Sequence, residues 1–173
     1  MKKSLKIKSP PLIERLSKVD YVKLVFSILL CNSTGFISSF FSFSAISTWY
    51  TTLTKPEFNP PNWIFGPVWT TLYILMGVSL YLVWNKGTKT PLAKIALTVF
   101  GIQLTLNAIW SILFFGLQSP LLAFIEIIFL WLAIFITIFF FHKISRTAAY
   151  LLIPYILWVS FAAVLNYNIF LLN

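Results

Sequence analysis

The chain of 173 residues is 59% hydrophobic, 18% aromatic and 10% charged, and its mean hydropathy is +0.88. Soluble domains use roughly 45–50% apolar and 25% charged residues, so the composition excludes an ordinary soluble protein and indicates an integral membrane protein. The net charge of +9 would suggest a nucleic-acid partner in a soluble protein. Here the distribution of basic residues along the chain explains the charge better, and we expect no nucleic-acid partner.

Residues 1–20 form a basic, polar segment interrupted by Pro10 and Pro11. We interpret it as a cytoplasmic tail that can lie on anionic lipid headgroups. A secretory signal peptide is the alternative, because these basic residues precede an apolar run at 24–46. That run is longer than the roughly 7–15 apolar residues of a signal peptide, and no small-residue cleavage site stands out before Trp49. We therefore expect the run to be retained as the first helix.

The apolar runs predict the number of membrane spans. A helix needs about 20 predominantly apolar residues to cross the hydrocarbon core of a bilayer, and a pair such as Ser119-Pro120 is a typical helix start. The predicted helices cover about 21–47, 63–84, 92–116, 120–142 and 147–172. The chain is therefore predicted to be an all-α integral membrane protein, with residues 21–173 forming one bundle of five transmembrane helices.

The basic residues are distributed asymmetrically among the predicted connections. Twelve of the thirteen lie on one side of the membrane if the chain crosses it five times. They are Lys2, Lys3, Lys6, Lys8, Arg15, Lys18, Lys23, Lys86, Lys89, Lys94, Lys143 and Arg146, whereas Lys55 lies on the other side. Because basic residues accumulate in cytoplasmic segments, we predict a cytoplasmic N-terminus and a C-terminus on the opposite side.

The segment WYTTLTKPEFNPPNWIFGPVWTTLY, residues 49–73, is the most distinctive part of the sequence. Its prolines fix φ and push the preceding residues toward extended geometry, which predicts a stiff loop that cannot be helical before Pro61. The rings of Trp63 and Trp69 suit two interpretations, an aromatic belt at the bilayer interface or a platform for a stacked planar ligand. The three prolines of the loop are Pro56, Pro60 and Pro61.

The first predicted helix carries a stripe of small residues. Its members are Cys31, Gly35, Ser38, Ser42 and Ala45, spaced alternately by four and three positions. Such a stripe lets a second helix approach closely in a membrane. Cys31 is the single cysteine of the chain, so it forms no intrachain disulfide and is interpreted as a packing residue.

Known catalytic and metal-binding motifs are absent from the sequence. No phosphate-binding glycine loop, zinc-protease motif, paired cysteines or nucleophile elbow occurs, and His142 is the only histidine. We therefore expect neither a metal centre nor a histidine-based catalytic triad.

Several polar side chains fall inside the predicted spans, where burial is costly. They are Asn32, Gln103, Asn107, Glu126 and Asn166. Hydrogen bonds between helices would account for them. However, three helices each present aromatic residues beside amide or small residues on one face. In the third helix these are Gln103, Asn107, Trp110 and Phe114, and in the fifth they are Tyr155, Trp158 and Ala162. In the second helix, Trp69 begins an aromatic face that follows directly from the loop. A pocket for a large planar apolar ligand with polar edges has this character, so core packing and a ligand pocket both stay open.

Three segments in order resemble one known family. They are the loop at 49–73, QLTLNAIWSILFFG in the third helix and LLIPYILWVSFAAVLNYNIFLLN in the fifth. Over about residues 22–173 the chain resembles the family of the tryptophan-rich sensory protein TspO and the translocator protein, formerly the peripheral benzodiazepine receptor. The resemblance implies a five-helix bundle, commonly a homodimer, that binds porphyrins such as protoporphyrin IX and haem without a covalently bound cofactor. Animal members also bind cholesterol and synthetic isoquinoline or benzodiazepine ligands.

The resemblance also implies site residues. The ligand pocket would be lined by Tyr50, Trp69, Asn107, Trp110, Trp158 and Ala162. Pro56, Pro60, Pro61 and Trp63 would belong to the loop that closes over it. Glu126 falls where many members carry an acidic residue, and its role stays open.

One departure concerns sterols. The cholesterol motif of animal members needs a Lys or Arg shortly after a tyrosine, but Tyr167 is followed by Asn, Ile, Phe, Leu, Leu and Asn. That motif is a weak pattern even when intact, so its absence lowers the expectation of sterol binding.

Two functions of different classes remain in consideration, and a lipid- or sterol-binding transporter is a further alternative. The first is a receptor or transporter that binds tetrapyrroles, and the second is a light-dependent activity that degrades protoporphyrin IX, with Trp69 and Trp158 implicated by the resemblance. We favour binding, because the sequence offers no acid, base or nucleophile set for a dark reaction. The lysines and the small size favour a bacterial cytoplasmic membrane, with a bacterial outer membrane or a mitochondrial or other organelle membrane as alternatives. The physiological ligand stays open.

Overall fold

The computed structural model describes residues 19–173, and all regular structure in that range is helical. The helices are α1 (Tyr21–Ser47), α2 (Trp49–Thr52), α3 (Asn62–Trp84), α4 (Pro91–Ser111), α5 (Pro120–Ile144), α6 (Arg146–Leu151) and α7 (Ile153–Leu172), and a π-helical turn, Ile112–Gly116, extends α4. Five helical stretches are long and apolar enough to cross a membrane. This confirms the predicted all-α class and five spans. Most of the tail predicted at 1–20 lies outside the described residues.

Three of the long helices, α1, α4 and α5, begin at capping side chains. Asp20 Oδ1 accepts a hydrogen bond from the Lys23 backbone N–H at 3.1 Å, and its other oxygen pairs with Lys23 Nζ at 2.9 Å. This hydrogen bonding from Lys23 holds the pKa of Asp20 below its ordinary value. Thr90 and Ser119 cap α4 and α5 in the same way, and each is followed by a proline. A capping oxygen and a proline at the first helical position both suit the orphan N–H groups there.

Two local features differ from the predicted boundaries. The fifth predicted span consists of α6 and α7, which meet at Leu152. Pro154 has no N–H to donate to the carbonyl four residues earlier, so the helical ladder is interrupted near this point. In addition, the first residues of the proline-rich segment form one helical turn, Trp49–Thr52, before the chain becomes extended at Leu53. The prolines act only from Pro56 onward, so they leave this turn intact.

The helices pack as a bundle in which α1 lies along α3, and α5 lies against both α4 and α7. The helices α1 and α3 approach each other closely at Gly77. A Cβ added to Gly77 would stand 2.5 Å from the Cα of Ile28, so only glycine allows the two backbones to touch here. Elsewhere, the parallel rings of Phe100 and Phe141 lie 5.5 Å apart and join α4 to α5. The outer faces carry large exposed apolar side chains such as Phe43, which suit a lipid environment.

Candidate functional site

The bundle encloses a cavity of about 600 Å³ at the end where residues 49–63 lie, which we call the proline-rich loop. All six residues predicted to bind a ligand line this cavity, namely Tyr50, Trp69, Asn107, Trp110, Trp158 and Ala162. Trp63 of the loop also lines it, whereas Pro56, Pro60 and Pro61 do not. The volume lies within the roughly 300–1,000 Å³ of small-molecule sites. The loop prolines therefore shape the backbone over the cavity without contacting its interior.

The loop is held over the cavity by hydrogen bonds at both of its ends. Tyr50, which is buried, donates from its hydroxyl to Asn59 Oδ1 at 2.9 Å. Thr54 donates its backbone N–H to Asn173 Oδ1 at 2.9 Å and accepts from Asn173 Nδ2 at 3.0 Å. The loop is therefore tied to the C-terminal end of α7. Burial raises the pKa of Tyr50, partly offset by the bond to Asn59, so the phenol stays protonated and able to donate.

Aromatic rings form most of the cavity wall. Trp110 stacks on Phe114 with ring centroids 5.0 Å apart, and Phe65 meets the edge of Trp158 at 5.9 Å. Trp69 stacks on Tyr73 at 5.6 Å. Flat rings that already contact one another keep their orientation at low entropic cost, so the cavity presents a preformed aromatic surface.

A hydrogen-bonded trio joins three helices at the inner end of the cavity, where two of its members, Tyr73 and Asn107, line the wall. Tyr73 donates its hydroxyl proton to Asn107 Oδ1 at 2.6 Å, and Asn107 Nδ2 donates to the hydroxyl of Tyr155 at 3.1 Å. All three side chains are buried and come from α3, α4 and α7. The sequence analysis placed Asn107 in the pocket but did not predict these partners. Asn107 therefore connects three helices as well as lining the cavity.

A second amide connects α7 to α4 and to the start of α5. Trp110 donates its indole N–H to Asn166 Oδ1 at 3.1 Å, and Asn166 Nδ2 donates to the carbonyl of Pro120 at 2.8 Å. Asn166 thus gives the indole N–H of Trp110 an acceptor and links α7 to the first turn of α5. The buried asparagines at 107 and 166 match the interhelical hydrogen bonding that the sequence analysis kept open.

Two buried polar atoms in the cavity wall have no partner among the described residues. They are the Oγ of Ser38 and the indole Nε1 of Trp158. A buried donor without a partner costs about 1–3 kcal/mol, and a ligand acceptor in the cavity would relieve that cost. Ser38 was noted in the sequence only as a small packing residue. Whether the Ser38 side chain points into the cavity depends on the rotation of α1 about its axis, and the spacing of residues in the sequence does not fix that rotation.

Gln103 and Glu126 lie outside the cavity wall. Both are buried, and neither their amide nor their carboxyl atoms have a hydrogen-bond partner among the described residues. Gln103 was expected to share a face with Asn107 and Trp110. It lies farther along that face, beyond the trio, where the helices close on one another.

The lining itself is uncharged. Among the described residues it includes tyrosines, serines and amides but no carboxyl, imidazole, amine or thiol group. Lys55 lies outside the wall, with its Nζ 4.7 Å from the centre of the Tyr50 ring. The cavity can therefore hold a neutral, flat ligand body, while a negatively charged edge would meet Lys55 at the loop.

Comparison with known proteins agrees with this architecture. The profile of the TspO/MBR family matches residues 27–172. The chain is 46% identical to the tryptophan-rich protein TspO of Archaeoglobus fulgidus, over 90% of this chain and 99% of that protein. It is also 46% identical to the tryptophan-rich protein TspO of Chlorobaculum tepidum, over 87% and 95% of the two chains.

The similarity extends to an animal protein. The human translocator protein is 38% identical to this chain over 76% of this chain and 79% of its own length. A profile match over most of the chain, together with relatives of this similarity, shows the family and confirms an integral, multi-pass membrane protein. The chain belongs to the TspO/MBR family.

Proposed function

We propose that this protein is a membrane receptor or transporter that binds a tetrapyrrole, such as protoporphyrin IX or haem, in the cavity under the proline-rich loop. The observation that carries the proposal is the cavity of about 600 Å³ with an aromatic wall. Its volume and flat apolar surfaces suit a porphyrin ring, which stacks well on indole and phenyl groups.

The polar groups favour recognition of the macrocycle and its edges. Trp158 Nε1 and Ser38 Oγ are free to bond an acceptor, and Lys55 at the loop can meet a propionate. Imidazole and thiolate, which commonly hold haem iron, do not occur in the wall formed by the described residues. We therefore expect metal-free protoporphyrin IX to bind at least as tightly as haem.

A titration tests the proposal. Purified protein in lipid nanodiscs is titrated with protoporphyrin IX or haem, and quenching of tryptophan fluorescence is followed. Saturation at one porphyrin per chain is expected, with loss of affinity when Ala162, which lines the cavity, is replaced by Phe. Quenching that rises without saturation, or that Ala162→Phe leaves unchanged, would show that porphyrin merely dissolves in the lipid.

Light-dependent degradation of the bound porphyrin is the second candidate. Trp69 and Trp158 both line the cavity, and the unpartnered indole N–H of Trp158 can donate to a ligand acceptor. Two indoles beside a photosensitising macrocycle are the oxidisable groups that such a reaction would use.

Three further expectations stay predictions. They are the formation of a homodimer, location in a bacterial cytoplasmic membrane and a weak affinity for sterols.

A further inference from the structure

The cavity wall is not equally buried on all sides. The lining residues from α4, its π-helical turn, α5 and α7 are all buried or half-buried. The exposed lining residues come from α1 and α3 alone, and they are Phe36, Ser39, Asn62, Trp63, Gly66 and Thr70. The cavity therefore communicates with the surroundings between α1 and α3. We call this gap the lateral opening.

The gap has a structural cause. Toward the cytoplasmic end predicted by the charges, α1 and α3 touch at Gly77, where an added Cβ would stand 2.5 Å from the Cα of Ile28. One step nearer the loop, Gly35 still lies against the Tyr73 ring, with an added Cβ at 2.5 Å. At Gly66 an added Cβ would meet no atom within 4 Å. The two helices thus separate progressively toward the loop.

The edges of the lateral opening are suited to an apolar molecule. Ser39 Oγ donates to the carbonyl of Phe36 at 2.6 Å, and Thr70 Oγ1 donates to the carbonyl of Gly66 at 2.9 Å. Because these hydroxyls are satisfied within their own helices, they present no unpaired donor to the hydrocarbon. A planar apolar ligand would pass them without breaking a hydrogen bond between helices.

The route through the loop is the more obstructed one. Thr54 and Asn173 share two hydrogen bonds, and Tyr50 is bonded to Asn59. Phe58 and Phe161 add a ring contact with centroids 6.3 Å apart between loop and α7. Access from the aqueous phase requires these contacts to separate. Between α1 and α3, the one ring contact among the described residues joins Phe26 to Trp84, at the end of the helices away from the loop.

We propose that the ligand reaches and leaves the cavity sideways, from the hydrocarbon of the bilayer, through the lateral opening between α1 and α3. The proposal deepens the tetrapyrrole-binding function and rests on it for the identity of the ligand. It assigns the ligand to amphiphiles that partition into the membrane, whose apolar ring slides between the helices while charged groups stay near the loop and Lys55.

The test compares exchange rates in nanodiscs, with protoporphyrin IX as the probe and stopped-flow tryptophan quenching as the signal. Gly66→Phe places a ring in the lateral opening, and Ser39→Phe does so independently from the opposite edge. Both should slow association and dissociation together by about tenfold, because an added barrier acts in both directions, whereas a ring that only filled the cavity would weaken binding through faster dissociation. Gly101→Phe is the matched control, since Gly101 is exposed, has open space around it and does not line the cavity.

Asn173→Ala tests the competing route by releasing the loop from the C-terminus. It should leave the exchange rates unchanged. Parent-like rates in both Gly66→Phe and Ser39→Phe, or several-fold faster exchange in Asn173→Ala, would overturn lateral access. If the parent protein does not bind protoporphyrin IX, the proposed function fails, and the same variants are then compared with the apolar dye Nile red. Slower exchange of that dye would support the lateral route by itself, and parent-like exchange would overturn it.

Discussion

The hydroxyl of Tyr73 on α3 and the amide of Asn107 on α4 form the shortest polar contact between spans in the cavity wall, at 2.6 Å from Tyr73 Oη to Asn107 Oδ1. Asn107 in turn donates to Tyr155. Asn107→Ala therefore leaves two buried phenols without their partner. We expect a loss of about 1–3 kcal/mol in the free energy of unfolding, measured as a lower apparent unfolding temperature in detergent.

Asn32→Ala is the matched control for that variant. Asn32 also lines the cavity, but its Nδ2 donates only to the carbonyl of Ile28 in its own helix. Its replacement should cost much less stability. Equal unfolding temperatures for Asn107→Ala and the parent would show that the amide does not hold the three helices together.

Ala162→Thr should weaken porphyrin binding and leave the fold intact. Ala162 is half-buried and lines the cavity, so the larger side chain extends into the space that a ligand would fill. Overpacking of this kind costs about 1–3 kcal/mol, and here it reduces the binding free energy of the porphyrin. Ala163→Thr is the control, because Ala163 does not line this cavity and instead faces Phe124 and Tyr167 on the outer side. Equal losses of affinity in both variants would place the ligand elsewhere.

Replacing Trp158 by Phe separates binding from photochemistry. Phenyl retains an aromatic surface, so affinity for protoporphyrin IX should fall only by about 0.5–1.5 kcal/mol. Any light-driven loss of the porphyrin Soret band should fall much further, because the oxidisable indole is gone. Trp69→Phe is expected to behave similarly, and Trp131→Phe is the control, since Trp131 is bonded to Ser160 outside the cavity wall.

Absorbance and fluorescence measured on the same samples decide between the two functions. A parallel decline of affinity and bleaching would mean that the indoles only hold the ligand. A parent protein that holds the Soret band constant under illumination would be a binding module without this activity.

Glu126→Gln should leave stability unchanged or increase it. Glu126 is 7% exposed, and both carboxyl oxygens lack a partner among the described residues. Glutamine has nearly the same shape and removes a group whose ionisation in a membrane interior is costly. Apparent unfolding temperatures of parent and variant check this. A clear loss of stability would reveal an interaction of the carboxyl, such as one with bound water.

The orientation predicted from the basic residues can be tested with fusions after Asn173. Alkaline phosphatase should be active and a green fluorescent protein dark, because the positions of twelve of the thirteen basic residues predict a cytoplasmic N-terminus. The structure places Thr54 beside Asn173, so the loop and the C-terminus share one end of the bundle. A bright fluorescent fusion with inactive phosphatase would reverse the predicted orientation.

The sequence by itself determined the class of protein and the five spans, and it predicted six of the residues that line the cavity. Spans can be recognised from local apolar runs, because the bilayer requires about 20 such residues whatever their neighbours are. Tyr50, Trp69 and Trp158 were placed in the site by the motifs around them, which carry a family resemblance that needs no coordinates. Residue spacing then grouped Asn107 and Trp110 on one face of a helix.

Only the tertiary structure decided which partners those faces meet. The bonds of Asn107 to two phenols, the free Oγ of Ser38 and the gap beside Gly66 each depend on the rotation and separation of helices distant in sequence. In a membrane, apolar faces pack against lipid and against protein with similar free energy, so a pattern of apolar residues does not fix that rotation. Close contacts do fix it. Gly77 against Ile28 sets where α1 and α3 meet, and thereby where the cavity opens.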